Sequence, residues 1–493
     1  MRRRAFCVSG ISLFAAAALR NAPLHAVAAD GDVPARGLDG RQLTIRKVDL
    51  ADFRASLRGE LLQAGQTGYD SARRIWNGAF DKRPALIARC KDAADVQQAV
   101  RFAAAHALQT AVRAGGHSLS GQSTCDGGLM IDLSPMSGIH VDPTAKTARV
   151  EPGVLLGAFD RGTQAFDLAT PSGTVSHTGV AGLSLGGGFG RLARKYGLAC
   201  DNLTGANVVT AAGRIVRAEA QENADLLWGL RGGGGNFGVV TSLEFELHRV
   251  EPLMYGGQLT YPFATAPKVM SNFAAFSANA PDDLYVETLL QQNADGEGMV
   301  LFDVCYCGPA KTAEGVLAPL RAFSAPVHDD LGPTQYIELQ RRNDGSNPHG
   351  RSYYVKSGYL QGFGVSTAEA IVECVASFPR NASHIGIVPL GGAIARVEPA
   401  ATAYWHRRAT HALVLVTSWQ DASDAEGSTQ WAHSVWSKLE PLTTGYYVNL
   451  SGSDDGSRRT QAAYGDNIAR LRMLKRLYDP YNLFRLNANV QPG

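Results

Sequence analysis

Three glycine-rich stretches carry the residues best placed to do chemistry. In Arg113-Ala-Gly-Gly-His-Ser-Leu119, the adjacent Gly115 and Gly116 precede His117 and Ser118. Without Cβ atoms, consecutive backbone N–H groups can face phosphate oxygens at short range, and a histidine beside them is held against whatever the loop binds. An ordinary turn with a surface histidine would read the same way locally. The second stretch, Gly179-Val-Ala-Gly-Leu-Ser-Leu-Gly-Gly-Gly-Phe-Gly190, contains Val180, Gly182, Gly186, Gly187 and Gly190 and is richer in glycine than packing requires. It lacks the Gly-Lys-Ser/Thr ending of a nucleoside-triphosphate loop. It also departs from the strand and helix order of a nicotinamide-dinucleotide fingerprint. A loop wrapped against a large planar cofactor and its pyrophosphate fits it better. The third stretch, Gly232 to Gly238 followed by Val239-Val240, repeats the theme.

Short strands and helices must position these loops. The pattern predicts strands over 85–88, 110–113, 129–133 and 148–152. A helix over 92–106 has Val96, Val100, Ala103 and Ala107 at helical spacing and acidic residues near its start. Units of this kind carry ligands on the loops after their strands. From about Pro252 to Tyr447 the character changes to alternating strands, such as 284–290 and 299–306, with helices such as 366–376 between them. That pattern predicts an α+β fold with an antiparallel sheet. A helix over 461–479 closes at Pro480, which ends helices.

The chain of 493 residues exceeds one ordinary core, so two domains are expected. A net charge of +2 without basic runs argues against nucleic acid as a partner. Arg2-Arg3-Arg4 precedes an apolar stretch from Ala5 to Leu19, too short to span a bilayer, and Ala26-Val27-Ala28 offers a cleavage site. Residues 1–28 are therefore expected to be an export signal, with a retained anchor as the alternative. Arg3-Arg4-Ala5-Phe6 resembles the core of a twin-arginine signal, which implies export of the folded protein to the periplasm or beyond, with no stable membrane association after cleavage. The six cysteines after Cys7 are too few for a disulfide scaffold, and neither their pairing nor the oligomeric state is legible. No second cysteine or histidine pair stands near Cys305-Tyr306-Cys307, which disfavours zinc.

Arg113 to Ser118, Gly186 to Gly190, Tyr196-Gly-Leu-Ala-Cys-Asp-Asn-Leu203, Leu230 to Val240 and Tyr478-Asp-Pro-Tyr-Asn-Leu-Phe484 occur in this order. Together they resemble the berberine-bridge-enzyme-like FAD-linked oxidases, within the vanillyl-alcohol-oxidase (PCMH-type) flavoproteins, from about Phe80 to the end of the chain. The resemblance implies an FAD-binding domain over 73–249, a substrate-binding domain over 250–449, and a C-terminal segment, 450–493, that returns to the FAD domain with Asn487 and Asn489. It implies that His117 is bonded to the 8α-methyl of the flavin and that Cys200 stands where doubly linked relatives attach flavin C6. A buried free cysteine is the alternative for Cys200. Val180 stands where a small residue admits dioxygen, which favours an oxidase that releases hydrogen peroxide over a dehydrogenase with another acceptor.

The substrate side departs from the family. Gly445-Tyr-Tyr-Val-Asn449 begins a motif that usually supplies a tyrosine base one residue later, but Leu450 stands there. Leucine takes no proton, so Tyr447 is the nearest candidate, followed by Tyr446 and Tyr354. Lys356 or Arg396 would serve to lower the phenol's pKa. Each of these tyrosines could equally pack, or bind a sugar or aromatic group. The expected reaction is hydride removal from an alcohol, or a similarly activated C–H, of a sugar, oligosaccharide or bulky secondary metabolite. A secreted flavin-binding protein without turnover is the remaining alternative.

Overall fold

A computed structural model describes residues 31–292, 296–375, 378, 383–452 and 454–493. The expected export signal at 1–28 lies outside these residues. The fold is mixed, with α-helices packed on sheets that are largely antiparallel, as the sequence predicts for an α+β chain.

The first glycine stretch leaves a four-stranded sheet ordered Glu60–Leu62, Leu86–Arg89, Leu129–Asp132, Thr110–Arg113, in which the last three strands are parallel. The helix Ala93–Ala105 makes the crossover. Its cap is Asp92, whose side chain accepts from the Asp95 N–H, and it buries Val96, Ala99, Val100 and Ala103 against the sheet. Asp132, wholly buried, draws in Arg89 and Arg113 at 3.4 Å each, which fixes the strand ends where the loop begins. The parallel arrangement goes no further: the next sheet, ordered Ile215–Glu219, Leu203–Val209, Val239–Glu246, Thr147–Val150, Ile139–Asp142, is antiparallel throughout.

The third sheet has eight antiparallel strands. Leu253–Pro262, Gly298–Tyr306, Leu284–Gln292, His384–Pro389, His411–Trp419 and Ser352–Leu360 run in that spatial order, with His328–Asp329 and Gly332–Gln335 beside the first. Alternation sorts its side chains. Leu284, Val286, Phe302, Val304, Ile385 and Leu413 face helices that include Ala266–Ser277, Val365–Val375 and Ala425–Leu439. Tyr285, Cys305, Val355, Tyr359, Val388 and Ala412 form the inner face, packed on Leu192, Ala193, Leu198, Cys200 and Tyr447.

The single helix expected over 461–479 is two, Ser457–Tyr464 and Ile468–Tyr478. The break falls at Gly465, where φ is +49° and an added Cβ would stand 2.2 Å from Trp405 Cδ1. A ring from elsewhere in the chain occupies the path of a continuous helix.

Candidate flavin site

The three glycine stretches converge. A Cβ on Gly115 would lie 2.4 Å from the Gly179 Cα, so the first two stretches cross backbone on backbone. Gly186, Gly187 and Gly190 pack against Asn449, Tyr404 and Ser172, and Gly238 against Val208. The third stretch is held by the C-terminal segment. Asn236 donates to the carbonyls of Gly233 and Ala488, the Tyr464 hydroxyl donates to the same two, and the Val490 N–H donates to Asn236 Oδ1. Asn487 closes the circle: its carbonyl accepts from Gln122 Nε2 at 3.0 Å, and its amide donates to the Gly235 carbonyl. Gln122 is in turn fixed through its N–H by the Ser118 hydroxyl at 3.0 Å.

His117 stands in a cluster of rings. Trp76 lies between it and Tyr353, stacked at 4.1 and 3.9 Å between centroids, and His177 and His349 follow at 5.1 and 4.7 Å. Burial first, then His177 and His349, hold the His117 pKa down to about 3, so the imidazole is neutral. Its Nε2 has no hydrogen-bond partner, and neither do Arg113 Nε, Ser123 Oγ, Asn487 Oδ1, Asn489 Oδ1 and both nitrogens of His177. Asn487 and Asn489 line a cavity of about 220 Å³ with Gln461 and Arg472. An added Cβ at Gly182 or Gly235 would meet no protein atom within 4 Å, so packing does not require glycine at either position and both leave room beside the loops. A neutral nucleophilic nitrogen, unpartnered polar atoms and open glycine faces fit a flavin dinucleotide.

Other expected site residues lie buried around the loops. Val180 and Val240, at 1% and 4% exposure, are core residues beneath the loops. The Cys200 thiol is wholly enclosed, with Sγ 3.7 Å from Asp201 Oδ1, and burial pushes its pKa well above the usual thiol range. His117 Nε2 is enclosed as well, and the two positions differ in protonation: the imidazole is neutral, whereas the thiolate that a second flavin bond needs is disfavoured.

Of the candidate bases, only Tyr447 touches a glycine stretch. Its oxygen accepts from the Gly188 N–H and Asn449 Nδ2, both at 2.7 Å. Tyr446 packs under Arg459, 5.0 Å from its ring, and meets Thr460. Tyr354 and Lys356 are on the helix-covered face of their strand, the reverse of Tyr353 and Val355. There Tyr354 donates to Asp454 at 2.8 Å and meets His433, while Lys356 pairs with Asp454 and Asp455. Arg396 is spent on Asp282 at 2.6 Å. Burial raises the pKa of all three tyrosines, and Asp454 adds to it for Tyr354, so the lowering by Lys356 or Arg396 expected from sequence does not occur.

Sequence reasoning missed Trp76, His177 and His349, which no motif marks. It also missed Glu287 and Asp303, although Asp303 is a lone carboxylate within an otherwise apolar strand.

Fold and site together define a flavin-dependent oxidoreductase. A family model described as an FAD binding domain matches residues 84–219, and one described as berberine and berberine like matches 446–491. The chain is 32% identical over 453 residues to (R)-6-hydroxynicotine oxidase of Paenarthrobacter nicotinovorans, covering 89% of this chain and 97% of the relative. It is 30% identical over 440 residues to a chitooligosaccharide oxidase of Gibberella zeae, covering 83% and 87%. The crystal structure of 6-hydroxy-D-nicotine oxidase from Arthrobacter nicotinovorans superposes with a TM-score of 0.83 at 30% identity, covering 89% of this chain and 99% of that one. The chain belongs to the berberine-bridge-enzyme-like FAD-linked oxidoreductases.

Proposed function

We propose that this protein is an exported oxidase that holds FAD covalently through His117 alone. It would take a hydride from an alcohol carbon or a similarly activated C–H of a small molecule and return the electrons to dioxygen as hydrogen peroxide. The observation that carries the reading is the neutral His117 imidazole, its Nε2 unpartnered within a ring cluster beside the crossing of two glycine stretches. The flavin supplies the hydride acceptor. Trp76 fixes the imidazole plane by stacking and is itself anchored through Nε1 to the Asn347 carbonyl at 2.9 Å. Asn487 and Asn489 keep their side-chain carbonyl oxygens unpartnered and would serve as acceptors for the cofactor. Export rests on the basic and apolar pattern of residues 1–28.

The test is acid precipitation of the purified protein followed by tryptic mass mapping. Flavin is expected on the peptide carrying His117 and absent from the one carrying Cys200. His117→Ala should release its flavin into the supernatant. Free flavin from the unaltered protein would overturn the linkage. Peroxide release across a panel of alcohols and amines tests the reaction.

A further inference from the structure

The inner face of the eight-stranded sheet carries a charge arrangement that the preceding reading does not use. Glu287 and Asp303 are directly opposite on neighbouring strands. Like charges so placed repel, and one guanidinium enters to relieve them. Arg191, the residue after the second glycine stretch, meets Asp303 Oδ2 at 2.5 Å, with both side chains wholly enclosed. Asn343 donates to the same oxygen at 3.1 Å. Glu287 has only a neutral partner, the Tyr285 hydroxyl, which donates to Oε2 at 2.7 Å. Two carboxylates thus share one cation, and the face bears one negative charge when both are ionised.

Asp303 Oδ1, Arg191 Nε and Arg191 Nη1 are enclosed and have no hydrogen-bond partner. Glu287, by contrast, keeps part of its surface open. The titratable groups facing it are Tyr285 on its own strand, Asp303 on the next and Arg191 from the glycine stretch. Burial, then Asp303, raise its pKa to about 7. A carboxylate held in this way lacks a counter-ion on its open side, and a cation there would draw it back to the ionised form.

We propose that Glu287, oriented by Tyr285 beside the Arg191–Asp303 pair, anchors a substrate through a protonated nitrogen that is remote from the carbon giving up its hydride, so that the protein selects substrates bearing an ammonium group. This rests on the oxidase reading and narrows its substrate class. Glu287 forms the ion pair, Tyr285 fixes its rotamer, and Arg191 keeps Asp303 from competing for the cation.

The experiment is calorimetric titration of the flavin-loaded protein at pH 8 with benzylammonium chloride and, separately, with benzyl alcohol of nearly the same shape. An ionic hydrogen bond is worth roughly 10- to 100-fold in affinity, so benzylammonium is expected to bind at least roughly 10-fold more tightly than the alcohol. Glu287→Gln should abolish that preference without changing alcohol affinity. Glu287→Asp, which keeps the charge, should retain part of it. If Glu287→Gln does not load flavin, the unaltered protein decides, because its ammonium preference should fade as the pH is taken below about 7. Equal affinities, no binding of either probe, or an undiminished preference in Glu287→Gln would overturn the proposal. Should flavin stay covalently bound while the ammonium preference is missing, only this inference falls. Absence of peroxide release with every substrate that binds the flavin-loaded protein removes the oxidase reading instead.

Discussion

Tyr447 offers a choice between two uses of a buried phenol. Its oxygen accepts two hydrogen bonds at 2.7 Å, from the Gly188 N–H and Asn449 Nδ2, and its side chain is 4% exposed. Burial drives its pKa far above the ordinary phenol value, so it keeps its proton at any working pH. On this geometry Tyr447 is a clamp on the second glycine stretch. Replacing it with Phe leaves two enclosed N–H donors without an acceptor. At about 1–3 kcal/mol for each orphaned donor, and with Asn449 still able to donate to the Leu183 carbonyl, the loss of stability should be about 2–4 kcal/mol. Thermal unfolding should show a lower midpoint and weaker flavin loading. Stopped-flow reduction of the loaded fraction by substrate should stay within roughly tenfold of the unaltered protein. A general base removed outright costs roughly 100- to 10,000-fold. A fall of that size in flavin reduction at an unchanged melting midpoint would refute the clamp and make Tyr447 the base.

Further outcomes follow from other contacts. Cys200→Ala should retain its flavin through acid precipitation, and release of the flavin would show that the enclosed thiol takes part after all. Gly179→Ala forces a Cβ to 2.7 Å from the Gly115 Cα, backbone against backbone; a cost of about 4 kcal/mol or more should be visible as lost soluble yield and absent flavin absorbance. Asp201→Asn strips the wholly enclosed Arg407 of a two-pronged partner at 2.6 and 2.7 Å, and denaturant unfolding should register about 3–5 kcal/mol. His411, buried on its strand, has its pKa held down to about 3 by burial and Arg194. The unfolded chain takes up its proton near pH 6.5 while the folded one does not. Stability is therefore complete above that pH and falls by about 1.4 kcal/mol per pH unit as acid is added toward pH 3. His411→Gln should show a shallower loss between pH 7 and pH 5.

Local periodicity made much of the fold legible. The helix Ala93–Ala105 and the parallel strands on either side declare themselves through apolar spacing and the Asp92 cap. What stayed hidden depends on distant partners. Gly465 looks like any helix interior residue until the Trp405 ring is in place. Tyr353 and Tyr354 are adjacent in a strand with no clean apolar alternation, and an error of one residue exchanges the sheet's two faces; the tyrosine chosen from sequence was on the helix side, and its neighbour stacks on Trp76. The residues around Cys200 place its backbone, whose N–H donates to the Gly187 carbonyl at 2.8 Å, but the 3₁₀ turn Ala199–Asn202 that encloses its thiol has no signature of its own. Asp303 was readable as a charge among apolar neighbours, whereas its pairing with Arg191 required the sheet.

The bonds between residues 487–490 and Gln122, Gly235 and Asn236 bear on the order of events in the cell. Synthesis runs from the N-terminus, so the glycine stretches emerge from the ribosome well before the residues that hold them together. Cofactor capture must wait for translation to reach that point, and a message cut short after Arg485 would yield an apoprotein however complete its FAD-contacting loops. For a chain exported in the folded state, the same late closure gives quality control a single event to inspect. Pulse-labelled chains should gain acid-stable flavin only once full length, and label on shorter nascent chains would contradict this order.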